Sequence, residues 1–218
     1  MGYLDHLLQF ATPLVMAAGV TIEVSVGAFA LATTLGLLLA SIRFFMPSRL
    51  VRIPISIYVE VFRNVPSLTH LFIIFFGLAY IGIRLESLVA AIVGLGLIGA
   101  AVLTEIFRAG FEAVHIGQRE AALAVGMTPG MTFREIILPQ TWRVTLPPIG
   151  NYAVQLVKDT SLVAAIAAPE IMFTARNLVV NTFQTTLVYG IAAALYLAIC
   201  IPLSRAIRRL ERRMAIPR

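Results

Sequence analysis

Several polar side chains in this chain of 218 residues sit where a charge is costly, inside long apolar runs. Lys158-Asp159-Thr160-Ser161 breaks one such run, Glu60, Arg63 and Asn64 break another, and Glu105 and Arg108 close a third. A charge at that depth either neutralises a neighbour or serves a ligand. Glu60 and Arg63 stand three apart, as do Glu105 and Arg108, so on a helix each pair shares a face. For these four residues two readings stay open: ion pairs tying helix ends together, or polar lining of a path. Lys158 and Asp159 are different, because adjacent helix residues point in different directions and cannot simply neutralise each other. A donor and an acceptor side by side suit the carboxylate and ammonium of a zwitterion. The other reading of that segment is a helix break or a subunit contact. Asn151, Gln155, Asn177, Asn181 and Gln184 add polar groups of low specificity.

Other chemistries are poorly served. The only lysine is Lys158, preceded by Val157, so no GxxxxGK[ST] phosphate loop exists and this chain is not expected to hydrolyse nucleotide. Energy must come from another subunit, from an ion gradient or from nowhere. Gly94-x-Gly96-x-x-Gly99 fits a dinucleotide fingerprint, but it lies in an apolar 20-mer with no strand before it. It reads instead as small residues for close helix packing. His6, His70 and His115 are scattered without ligand spacing, so no metal site is expected. His70 reads as packed or pore-facing, with a proton relay as the weaker alternative. Cys200 is the one cysteine and has no disulfide partner. No nucleophile-base arrangement stands out; no catalytic residue and no cofactor are expected on this chain.

The elements that must position these groups are membrane helices. The chain is 59% hydrophobic and 13% charged, with mean hydropathy +0.91, against about a quarter charged in soluble domains. Runs of about 20 apolar residues mark crossings, predicted over 16–42, 53–83, 88–107, 144–168 and 187–207. The expectation is one all-α transmembrane domain over 1–218, with five crossings. Residues 1–13 lack a basic n-region and a small-x-small cleavage site, so the first crossing is expected to act as its own insertion signal. Thirteen arginines fall on one side: Arg43, Arg49 and Arg52, then Arg108, Arg119, Arg134 and Arg143, then Arg205, Arg208, Arg209, Arg212, Arg213 and Arg218. Only Arg84 and Arg176 fall on the other. The positive-inside rule puts the thirteen in the cytoplasm, the N-terminus outside and the C-terminus inside. Net charge +6 then reads as a topology and lipid signal rather than a nucleic-acid surface. The polar stretch 169–186 is expected to be an external connector, with Glu170 offered to an outside partner.

Between the third and fourth crossings lies 118–139, QREAALAVGMTPGMTFREIILP. Glu120-Ala121-Ala122-Leu123-Ala124 is a helix-forming run of mostly small side chains. Gly126 suits a left-handed helix stop. Thr128-Pro129 reads as a cap and first-turn proline, and Thr132-x-x-Glu135 as a capping box. The prediction is a helix, a glycine turn and a second helix, with Pro139 ending or kinking it.

This stretch resembles the EAA loop of ABC importer membrane subunits: Glu120, Ala121, Ala122, Gly126, Ile136, Leu138 and Pro139 keep every spacing. The flanks Glu60-Val61-Phe62-Arg63-Asn64-Val65-Pro66, Glu105-Ile106-Phe107-Arg108-Ala109-Gly110 and Lys158-Asp159-Thr160-Ser161-Leu162 are similar to the polar amino acid uptake branch. The resemblance covers roughly residues 20–210. It implies a type I importer permease fold in a bacterial cytoplasmic membrane, with the loop docked on a separate ATPase. It further implies a second permease subunit, identical or homologous, two cytoplasmic ATPase subunits carrying ATP and Mg, and an external solute-binding protein. Substrate would be an amino acid, and the residue 158–161 segment would lie near its path. The rival reading is an ion-gradient-driven carrier or channel, but such carriers usually show two repeated halves, and no internal repeat is visible. A membrane-bound enzyme is the third reading and lacks a catalytic constellation.

Overall fold

The computed structural model describes residues 3–46 and 48–214, with side chains from Leu8 onward; Arg218 of the basic tail and the His6 side chain lie outside the described residues. All regular structure there is helical: α1 Tyr3–Phe45, α2 Arg49–Asn64, α3 Ser67–Tyr80, α4 Ser87–Glu112, α5 Ile116–Ala124, α6 Pro129–Ile166, α7 Ile171–Thr182 and α8 Thr185–Met214. Three of these, α1, α4 and α8, are long and apolar enough to cross a bilayer unbroken. The pairs α2/α3 and α6/α7 combine the needed length and apolarity only together, across bends of 110° and 50°, so five crossings require each bent pair to count as one.

Two expectations are corrected here. The run 53–83 is not one continuous helix. Pro66 has no N–H and pushes Val65 into an extended conformation (φ −92°, ψ 138°), which closes α2 and opens α3 at a new angle. The stretch 169–186 is not a plain connector, because α7 fills most of it. The Glu170 carboxylate accepts from the Phe173 N–H at 2.7 Å, supplying the cap. Beyond the cap, Ile171 and Ala175 bury the helix's inner face.

The first crossing also outruns its predicted ends. At 1.5 Å per residue the 43 residues of α1 span about 64 Å, twice a hydrocarbon core of about 30 Å. Its far N-terminal part is held by α7 and α8, where Phe10 and Leu14 pack with Ile171, Ala175, Val188 and Ala192.

The centre is α4, which packs along α1 for most of its length. Gly94, Gly96 and Gly99 explain how closely. A β-carbon at Gly96 would stand 2.6 Å from Leu31 of α1, one at Gly94 2.6 Å from Leu71 of α3, and one at Gly99 would overlap the Tyr152 hydroxyl of α6. The glycine triplet is a packing face toward three neighbours. By contrast α8 buries only 11% of its apolar window, so its face meets lipid or another chain.

Candidate functional site

The loop 118–139 folds as a helical hairpin whose stop is built from backbone. Gly126 sits at φ +86°; its N–H donates to the Leu123 carbonyl at 3.0 Å, and the Met127 N–H donates to Ala122 at 3.1 Å. These are the two bonds of a Schellman stop, in which the left-handed residue is cheapest as glycine. Nothing lies within 4 Å of where a Gly126 β-carbon would be, so the position faces open space. The first helix, α5, is capped by His115, whose Nδ1 accepts from the Gly117 N–H at 3.1 Å. The second starts as expected, with Thr128 Oγ1 accepting from the Met131 N–H at 3.3 Å.

The second expected start does not form. Thr132 is already helical, is 1% exposed, and its hydroxyl has no partner among the described residues. The reason is that Thr128 has opened the helix one turn earlier. Of the two expectations for Pro139, ending the helix is not met: the helix continues past it. A π turn over Phe133–Ile137 widens the backbone just ahead of it, and α6 runs on through Pro147 and Pro148 to Asp159 before tightening into a 3₁₀ turn, Thr160–Ile166.

The two alanines of the EAA run part company. Ala122 is buried against the hairpin, whereas Glu120, Ala121 and Leu123 face outward. Ile136 and Leu138 are half-buried and Pro139 is exposed. The hairpin is bolted to the membrane helices by aromatic rings. Phe133 lies 4.8 Å from Phe45, 5.5 Å from Phe44 and 5.2 Å from Phe111, and Arg119 stands 5.6 Å over Phe44. Aromatic pairs at these separations add about 0.5–1.5 kcal/mol each beyond burial. One step deeper, Gly110 of α4 lies flush on Thr141 and Thr145 of α6, and Thr141 Oγ1 donates to the Gly110 carbonyl at 3.3 Å. These contacts join the hairpin to α1, α4 and α6. Sequence reasoning missed the aromatic bolt, since four phenylalanines on three elements share no spacing.

The four charges left open are now divided. Glu105 is a structural hub: its Oε1 accepts from Arg43 of α1 at 3.1 Å and its Oε2 from Arg108 at 2.8 Å. Arg108 also reaches Glu112. The Glu105–Arg108 ion pair forms, as one of the two readings had it, and Arg43 extends it into a tie between α1 and α4. Glu60 and Arg63 do not pair. Glu60 Oε2 accepts from Asn64 Nδ2 at 2.8 Å on the exposed face of α2. Arg63 instead lines a cavity of about 350 Å³ with Glu105, Thr145 and Pro148.

In the second cluster Lys158 is exposed, Asp159 is half-buried, and no ion pair joins them. One Asp159 oxygen accepts from Gln155 at 2.8 Å. Thr160 and Ser161 donate their hydroxyls to the carbonyls of Val157 and Lys158, at 2.7 and 2.8 Å. These two hydroxyls hold the 3₁₀ turn, leaving Asp159 and Lys158 as the groups with hydrogen-bonding capacity to spare. The turn is packed by α3. His70, on α3, is 6% exposed and stacks on Phe62 at 4.4 Å, a packed residue. Among the described residues no group of His, Cys, Asp or Glu is placed to hold a metal.

Glu170 requires a further correction. It is fully buried and cannot be offered to a partner. Besides capping α7 it accepts from the Tyr196 hydroxyl of α8 at 2.8 Å, while the adjacent Ile171 N–H donates to Thr21 of α1 at 3.3 Å. The carboxylate joins α7 to α8, and the next residue joins α7 to α1. Ala167, three residues earlier, takes a left-handed conformation (φ 59°) at the same bend. Glutamate is not a favoured cap and Tyr196 is 26 residues away, so the sequence offered no local signal.

Comparison with known proteins places this geometry. The family described as binding-protein-dependent transport system inner membrane component matches residues 32–216. The chain is 37% identical over 182 residues to the probable amino-acid ABC transporter permease protein YckA of Bacillus subtilis (strain 168), covering 84% of this chain and 80% of that one. It is 35% identical over 162 residues to the glutamine transport system permease protein GlnP of Escherichia coli (strain K12), covering 73% and 74%. A crystal structure of an amino acid ABC transporter with histidines superposes at TM-score 0.84 and 29% identity, over 98% of this chain and 99% of that one. An inward-facing form of the MetNI methionine ABC transporter shares the fold at TM-score 0.75 and 20% identity, over 99% and 100%.

Proposed function

The chain belongs to the binding-protein-dependent transport system inner membrane component family, and from that membership we propose that it is the permease subunit of an ATP-driven importer of polar amino acids in a bacterial cytoplasmic membrane. The observation that carries the coupling role is the hairpin of α5 and the start of α6. It presents Glu120, Ala121, Leu123 and the Gly126 stop outward, while Ala122 and the aromatic bolt fasten it to the bundle. A partner ATPase gripping that hairpin would move α1, α4 and α6 as one body. Closure of two ATPase subunits on ATP and Mg would draw two such hairpins together and turn the path from inward-open to outward-open. The arginine count puts the hairpin in the cytoplasm. A second permease subunit, identical or homologous, completes the path, and a solute-binding protein delivers substrate from outside.

Asp159 and Lys158 are the pair assigned to the substrate, the carboxylate for its ammonium and the ammonium for its carboxylate. Glu60, Arg63 and Asn64 form a second polar step on the bent α2/α3 segment. Relatives named for glutamine and for amino acids support that cargo class. The test is purification of the tagged chain from native membranes, followed by reconstitution with the proteins that accompany it. Recovery of a phosphate-loop ATPase and ATP-dependent uptake of labelled glutamine, glutamate, arginine or histidine is the expected result. Uptake that persists without the ATPase overturns the reading.

A further inference from the structure

We propose that the loop end of the bundle contains a binding site for a phosphate-bearing anion, built from four arginines on four different helices. Arg43 of α1, Arg52 of α2, Arg108 of α4 and Arg119 of α5 line one cavity of about 280 Å³. Its apolar wall is Phe44 and Phe111. No segment of sequence brings these four side chains together; only the folded bundle does.

The charge in the cavity is unbalanced. Glu105 and Glu112 are the carboxylates within reach, and both are already engaged: Glu105 by Arg43 and Arg108 at 3.1 and 2.8 Å, Glu112 by Arg108 at 2.6 Å. Arg52 and Arg119 have no carboxylate within 4.0 Å among the described residues. Four guanidinium groups against two carboxylates leave a surplus of two positive charges facing one cavity. Arg119 is also oriented, since its guanidinium stands 5.6 Å over the Phe44 ring.

The ligand class follows from the donors and the size. Guanidinium forks match phosphate oxygens in bidentate geometry. A cavity of this volume lies below the range for drug-sized ligands, which suits a headgroup-sized anion. Basic pockets at the cytoplasmic ends of membrane helices are where anionic headgroups are held. The two sources of the anion are therefore a phospholipid headgroup and free phosphate. In either case the anion would bridge Arg52 on α2 to Arg119 on α5, the helix that carries the EAA run. The site would then make the coupling hairpin's seat responsive to the anion. Which leaflet supplies a lipid rests on the orientation proposed above; the site itself does not.

The experiment uses the purified importer, with every subunit that co-purifies, in a zwitterionic detergent-lipid background. Its melting temperature is followed against added phosphatidylglycerol, phosphatidylcholine or inorganic phosphate. Three proteins are compared: wild type, Arg52→Gln/Arg119→Gln, and Arg208→Gln/Arg209→Gln as an equal loss of charge on the α8 tail. Phosphatidylglycerol should raise the wild-type and tail-variant melting points, and phosphatidylcholine should not. The pocket variant should need roughly 30-fold more for the same shift, the loss expected for two headgroup contacts. If inorganic phosphate reproduces the shift at millimolar levels, the occupant is the free anion and the site stands. Failure of both probes to shift wild type overturns the site, and so does a tail variant that loses as much as the pocket variant. Should the glutamine variant fail to assemble, Arg52→Lys/Arg119→Lys keeps the charge but not the fork, and an unaltered response in it overturns the bidentate assignment. Loss of the ATPase from wild-type preparations would count against the coupling reading alone.

Discussion

Substituting Gly126 separates two ways in which the hairpin could matter. The residue stands at φ +86° in a two-bond helix stop, and its β-carbon position is empty to 4 Å. Alanine therefore meets no steric clash inside this chain. Its cost is the left-handed backbone alone, about 1–2 kcal/mol. Asparagine and aspartate visit that conformation more readily and should cost less. A bias of about 1–2 kcal/mol is a factor of about 5–30 in the population of the stop. The aromatic contacts of Phe133 and the burial of Ala122 should hold the remainder of the hairpin in place. So Gly126→Ala should lower coupled uptake by up to about 5–30-fold and Gly126→Asn should retain most of it, with melting temperatures close to wild type.

A docking partner adds a second term, because the open space at Gly126 is where an ATPase surface would lie. If that term dominates, side-chain size and charge set the order: aspartate worst, asparagine next, alanine mildest. If strain dominates, alanine is worst. Co-purification of the ATPase with each variant, together with ATP-driven uptake in proteoliposomes, reads the order directly. Full coupling in all three variants would refute both the conformational argument and the docking face.

Three further outcomes follow from the same contacts. Ala121→Glu should weaken ATPase capture with the hairpin still protease-resistant, whereas Ala122→Glu, at a position 6% exposed, should expose the hairpin to limited proteolysis; equal protease sensitivity would contradict the assigned faces. Asp159→Asn and Lys158→Gln should each cut substrate uptake at least tenfold while the ATPase still co-purifies, and loss of the complex instead would mark a structural segment. Glu170→Ala removes the α7 cap and the acceptor for Tyr196, so it should destabilise by about 2–3 kcal/mol and lower the melting temperature by several degrees, with Glu170→Gln recovering part; an unchanged melting point would refute the three-helix junction.

How far the sequence reached depended on the range of the signal. Apolar run length located the three helices that are long and apolar enough to cross unbroken, α1, α4 and α8, because such a helix needs about 20 residues of its own regardless of neighbours. The Gly126 stop and the Thr128-Pro129 start were legible because caps are settled within four or five residues. The glycine triplet was legible as packing, though not which helix each glycine would meet. The failures came where a nearby competitor or a distant partner decided. Thr132-x-x-Glu135 is a sound capping box overruled by Thr128, four residues ahead. Glu60 and Arg63 share a face in sequence, yet Glu60 took the local Asn64 amide and Arg63 turned to a cavity shared with α4 and α6. Glu170 gives no local sign of burial because the groups that enclose it are distant: Tyr196 sits on the last helix, and Thr21, bound by the neighbouring Ile171 N–H, on the first.

The distribution of rigid and yielding contacts bears on how such a hairpin would transmit force. At the loop end the joints are direct side-chain contacts: ring on ring at 4.8–5.5 Å, and Gly110 laid directly on two threonines. Close-packed contacts of this kind move as a unit rather than deform. The breaks lie elsewhere, at the Val65-Pro66 bend of 110° and at the bend of 50° after Ile166, where Ala167 holds a left-handed backbone that a glycine would hold more cheaply. Both flank the groups assigned to the substrate, Glu60 to Asn64 on one side and Lys158 to Ser161 on the other. A rigid body that carries the hairpin, hinged at the two places where the polar path residues sit, would convert displacement of α5 into a change of path geometry. A flexible hairpin on unbroken helices would dissipate the same displacement at the membrane surface.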